Sequence, residues 1–125
     1  MRDFAVPLTH RPGEVARVAH ALSRHGVNLK SVAALAVGNQ GVMRFIADDV
    51  EAARTALRED RIQFEENELV TALLENKAGE LEDVAGKLST AGLNVQAFYV
   101  VGLDGDLVEL AIACDDPKKA KKLLE

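Results

Sequence analysis

One cysteine, Cys114, stands in 125 residues. That excludes an intramolecular disulfide framework and leaves too few thiols for a zinc ribbon, which fits a reducing cytosol. No stretch reaches about 18 uninterrupted apolar residues, so the sequence offers no membrane-spanning helix. The start, Met1 to Pro7, has no apolar run of signal length either. Basic charge is also in short supply: 15 Lys and Arg face 20 Asp and Glu, for a formal net charge of -5 and a pI near 5.2. Such a balance argues against general affinity for nucleic acid or an anionic membrane, leaving small molecules or proteins as partners and the cytoplasm as the expected location. His10, His20 and His25 do not form a metal-ligand spacing with Cys114, and no nucleophile, base and orienting group fall together. No enzymatic chemistry, metal or cofactor is therefore expected.

What the chain does have is an internal repeat. Residues 1–59 slide onto 67–125 without a gap, and fifteen pairs are identical, among them Gly13/Gly79, Glu14/Glu80, Leu22/Leu88, Gly26/Gly92, Asn28/Asn94 and Asp49/Asp115. The matches fall at turns, caps and core positions, which marks a duplicated structural unit. Two domains follow, 1–66 and 67–125. Units of about sixty residues are marginal alone, so they are expected to pack on one another or on a second chain.

Each unit reads the same way. Phe4, Val6 and Leu8 alternate as a strand that stops at the turn Thr9–Gly13. Val15, Val18, Ala19 and Leu22 then fall at helical spacing, and Gly26 ends the helix in a left-handed cap. Val27 to Val37 and Val42 to Ala47 form a hairpin about Gly38–Gly41. Asp48 and Asp49 cap a helix through Ala52, Ala53, Ala56 and Leu57, and Ile62–Phe64 supplies a short fourth strand. Strand, helix, strand, strand, helix, strand is the split βαβ, ferredoxin-like (βαββαβ) pattern of an α+β protein. The second copy repeats it but runs out at Glu125, the partner of Glu59, so it lacks the last strand and leaves an edge open beside its first. A second copy of the chain could cover that edge, so a homodimer is expected.

The turn before the first helix is the sharpest local feature of each unit. A helix beginning at Gly13 or Gly79 presents unpaired N–H groups to an anion such as a carboxylate, and glycine permits close approach. His10 and Asn76 stand three residues before those glycines. Asn28 and Asn94 each carry two donors and an acceptor at a strand start, enough to take an ammonium and a carboxylate together. All of these residues would serve equally as turn formers and caps.

The runs Arg11-Pro12-Gly13-Glu14-Val15 to Gly26-Val27-Asn28-Leu29, and Lys77-Ala78-Gly79-Glu80-Leu81 to Gly92-Leu93-Asn94-Val95, resemble the ACT domain, the amino-acid-sensing module of metabolic enzymes. The resemblance covers almost the whole chain as two tandem copies. It implies antiparallel sheets packed side by side, with a free amino acid held between the strand–helix loop of one copy and the second-strand start of the other. One site would combine His10, Arg11, Pro12, Gly13 and Glu14 with Asn94; the other, Asn76, Lys77, Ala78, Gly79 and Glu80 with Asn28. It further implies a regulatory role, exerted alone or as a subunit docked onto a biosynthetic enzyme; a structural interaction module with no ligand is the remaining alternative.

Overall fold

Phe4 and Val6 lie one turn of the pleat apart on β1 (Arg2–Thr9), and both are fully buried. Phe4 stacks on Phe45 at 5.2 Å and meets Phe64 at 5.6 Å. Around this centre the computed structural model, which describes residues 1–125, builds the first of two compact units, Arg2–Asn67; Met1 joins Glu68–Glu125 in the second.

The first unit continues with α1 (Glu14–Arg24), β2 (Leu29–Val37), β3 (Gln40–Ala47), α2 (Val50–Glu59) and β4 (Glu65–Glu68). Its antiparallel sheet runs β2-β3-β1-β4. Met43, Phe45 and Ala47 face the helices and join the core with Val18, Leu22, Ala53, Ala56 and Leu57. Arg44, on the opposite face, forms a bidentate pair with buried Asp3 at 2.8 and 3.2 Å. In α1 the buried stripe is turned from the expected one: Val18 and Leu22 are buried, but Ala21 and Glu14 join them while Val15 and Ala19 stay exposed.

The fourth strand is not Ile62–Phe64. Ile62 donates its N–H to the Leu57 carbonyl at 2.8 Å and closes the end of α2, and Phe64 packs on Phe4. The ladder beside β1 is made by the polar segment Glu65–Glu68. Glu66 there receives a two-pronged hydrogen bond from Arg54.

The second unit holds β5 (Val70–Glu75), α3 (Glu80–Thr90), β6 (Val95–Asp104), β7 (Leu107–Cys114) and α4 (Pro117–Leu124). Its sheet runs β5-β7-β6, with β5 at an edge and no counterpart of β4. Val70, Val84, Leu88, Leu110, Ile112 and Ala120 form its core. Both units are thus α+β, with the ferredoxin-like order complete in the first and one strand short in the second.

The repeat is not free of gaps. β2 and β6 share a register shift, at Leu29/Ser31 and at Val95/Ala97, but β6 has a second between Val100 and Gly102. Val100 pairs with Leu110 and Gly102 with Glu109, so Val101 is an inserted residue taken up as a bulge. Beyond it the correspondence is 67 residues instead of 66. Phe45 answers to Ile112, Ala53 to Ala120, and Asp49 to Asp116, not to Asp115.

Candidate functional site

Gly13 opens α1 at φ 90°, a left-handed conformation that an L side chain adopts only with strain, and no side chain caps this end. The loop before it is held from within. Glu14 is buried, and its Oε1 accepts the Thr9 N–H at 3.0 Å. Its Oε2 accepts from Arg17 Nε at 3.2 Å and lies 3.7 Å from the Arg11 guanidinium. The Thr9 amide, then the two guanidiniums, keep this carboxyl below its usual range against the opposing cost of burial. The His10 N–H donates to the Asn39 carbonyl at 3.0 Å, tying the loop to the β2–β3 hairpin. Glu14 therefore shapes the loop at the uncapped start of α1.

Between this loop and β2 lies a cavity of about 310 Å³, the small end of the range for ligand pockets. Of the residues expected from sequence, His10, Arg11, Gly13 and Glu14 line it, and Pro12 does not. Its apolar wall comes from Leu8, Val15, Ala34, Leu35 and Ala36, which the motif reading did not single out. The signal was there in apolar residues that the fold leaves outside its core: Leu35 is 61% exposed and Val15 47%. Gly41 forms part of the floor, where an added Cβ would meet the Leu35 carbonyl at 3.2 Å.

The second loop keeps the backbone but not the latch. Gly79 repeats the left-handed start of α3 at φ 93°, again without a side-chain cap, and the Asn76 N–H donates to the Asp106 carbonyl at 2.8 Å. Lys77 pairs with Glu75 at 2.8 Å, however, and Glu80 stands where Glu14 does without its bonds to the loop. Ala78 replaces the proline. The two loops share their backbone and differ in the side-chain bonds that hold them.

Asn28 and Asn94 occupy matching strand starts. The Asn28 N–H donates to Asp48 Oδ1 at 3.1 Å, and the Asn28 carbonyl accepts from the Asp48 N–H at 2.9 Å. Asn94 makes the same pair with Asp115, and its Nδ2 reaches Asp115 Oδ2 at 3.4 Å. Of each double aspartate only the second is a helix cap: Asp49 accepts from Ala52 N–H and Asp116 from Lys119 N–H. The first fixes the asparagine. Asn28 shares a unit with the Thr9–Gly13 loop but does not line its cavity.

No three His, Cys, Asp or Glu side chains converge as a metal site, and no helix is long and apolar enough to cross a membrane. A family model described as an ACT domain pair matches residues 2–74. Among solved structures, a protein from Bacteroides thetaiotaomicron superposes with a TM-score of 0.83 at 21% identity, over 98% of this chain and 85% of that one. The ligand-free regulatory subunit of aspartate kinase from Thermus thermophilus gives 0.60 at 13% identity, over 98% and 88%. Aspartate kinase from Clostridium acetobutylicum gives 0.64 at 15%, over 98% of this chain and 32% of that one. At these identities the likeness is one of fold. No curated protein matches the chain.

Proposed function

Because the chain belongs to the family of ACT domain pairs, we propose that it is a non-catalytic cytoplasmic sensor that binds a free amino acid and regulates amino-acid metabolism. The observation that carries this reading is the cavity beside the uncapped start of α1, polar at His10, Arg11 and Glu14 and apolar at Leu8, Val15 and Leu35. A carboxylate would rest on the first-turn N–H groups, where the helix dipole favours it. The ammonium would go to an asparagine carbonyl. Asn94 suits that task, since Asp115 takes its Nδ2 and turns the amide oxygen free. On this proposal the ligand-binding residues are His10–Glu14 and Asn28 in the first unit and Asn76–Glu80 and Asn94 in the second, and the first loop, with its latch, binds more tightly. Signalling would come from the difference in affinity between closed and open arrangements.

The test is a thermal-shift screen of the twenty amino acids at millimolar concentration. A ligand at a hundred times its dissociation constant adds about 2.7 kcal/mol, a shift of several degrees. Hits of related side chain are expected, weakened more by His10→Ala than by Asn76→Ala. Equal losses would refute the inequality of the sites, and silence across the screen would refute the free-standing sensor. Exposed Val100 and Leu103 on β6 favour a second reading, a regulatory subunit docked on a biosynthetic enzyme. Co-purification with such an enzyme, and hits only in its presence, would establish that instead.

A further inference from the structure

Three of the four helices end in the same pair of hydrogen bonds, but one of the three uses the wrong residue for it. After α1 the Gly26 N–H reaches the Ser23 carbonyl and the Val27 N–H the Leu22 carbonyl, both at 3.0 Å. After α3 Gly92 and Leu93 do the same. These ends need a left-handed residue, and glycine supplies it at φ 69° and 75°. After α2 the bonds recur from Arg61 and Ile62, yet the left-handed position, at φ 57°, is an arginine. It is the one residue other than glycine with positive φ in the chain. Strain held at one of three equivalent places asks what the side chain does there.

Arg61 borders a cleft of about 560 Å³ that adjoins the first cavity at Thr9, Arg11, Glu14 and Gly41 and is bounded beyond it by Asn39, Gln40 and Gln63. Arg11 and Arg17 line the same cleft. Both lie against Glu14 Oε2, which sets them side by side, and each keeps further N–H donors that this one oxygen does not use. Arg24 and Arg54, on neighbouring surface, are tied to Asp60 and Glu66, whereas Arg61 makes no ion pair. Three guanidiniums and one carboxylate leave a local charge of +2 in a chain of net charge -5. Forked donors lining one polar cleft match the tetrahedral oxygens of phosphate better than a planar carboxylate.

We propose that this cleft, which shares Arg11 and Glu14 with the neighbouring cavity, binds a dianionic phosphate group, free or carried on a metabolite. Arg61 and Arg17 supply the principal contacts, with Glu14 as the residue that positions Arg11 and Arg17. The proposal does not depend on the ligand of the neighbouring cavity, and its test uses no amino acid.

The experiment is calorimetric titration of the whole protein, at low ionic strength to limit screening, with inorganic phosphate, a nucleoside monophosphate and succinate as a carboxylate of equal charge. Wild type, Arg61→Gly and Arg17→Ala are compared, each with its melting temperature. Phosphate should bind and succinate should not. Arg61→Gly should raise the melting temperature, since glycine relieves the strain, while weakening phosphate about tenfold, the effect of losing one charge-assisted hydrogen bond. Arg17→Ala should weaken it similarly. Tighter binding of the nucleotide than of inorganic phosphate would identify a carried phosphate, and equal binding the free ion. Absence of phosphate binding to wild type, or an Arg61→Gly variant that is more stable and binds as well as wild type, would overturn the site.

Discussion

Glu14 combines burial with ionisation, and the loop beside the candidate site depends on it. Its carboxyl titrates below the ordinary value of 4.5 because the Thr9 amide donates to it and two arginines flank it. A folded pKa below the unfolded one contributes stability above pH 4.5 that is lost as the pH falls through the folded value. The melting temperature of the wild type should therefore fall below pH 4.5 more steeply than that of Glu14→Gln, and at pH 7 the variant should be the less stable of the two. Parallel curves would mean that the carboxylate contributes nothing to the loop. The position was legible from the repeat, and its task was not. Glu14 and Glu80 are identical letters, and what separates them is that Arg11 and Arg17 stand near one, while Lys77 turns to Glu75 and Asp83 replaces Arg17 at the other. Val15 is the converse case: its helical spacing marks it for the core, but at the first turn the loop holds that face over the cavity.

At the scale of elements, the apolar periods located both hairpins and all four helices, because the helices and the inner hairpin strands β3 and β7 bury one side against their own unit's core. β4 escaped for the opposite reason. An edge strand held by ladder bonds and by Arg54 on Glu66 needs no apolar alternation, so Glu65–Glu68 reads as a polar break while Ile62 and Phe64 imitate a strand. The bulge in β6 escaped too, since a gapless alignment still scores Val42/Val108, Ile46/Ile112 and Asp49/Asp115 as identities that the folded chain does not superpose. This interpretation can be checked by shortening the strand. Partners of Val100 and Gly102 are consecutive, so deleting Val101 should close the ladder without changing which face any other residue takes. The deletion variant is expected to unfold cooperatively within about 1 kcal/mol of wild type in urea. A non-cooperative transition would show that the bend itself is needed.

For the molecule as a whole, the unspent apolar surface bears on how the proposed sensor would be completed. β2 is an edge strand whose far end exposes Leu35 and Val37, the latter at 77%, and β6 ends likewise with Leu103 at 76%. Exposed strand edges of this character invite pairing, and an isologous pair of chains is the simplest way to cover them. Leu35 is also a wall of the cavity beside α1, so a second copy laid along β2 would cover that wall. Ligand binding and self-association would then share free energy, each tightening the other by the same factor. Val37→Lys tests this at a residue outside the cavity wall. The wild type should be a dimer by light scattering, the variant a monomer, and the variant should bind any amino acid found in the thermal screen at least tenfold more weakly, by about 1.4 kcal/mol. A monomeric variant with undiminished affinity would separate the two events, because the cavity would then be complete within one chain and the exposed strand would belong to some other contact.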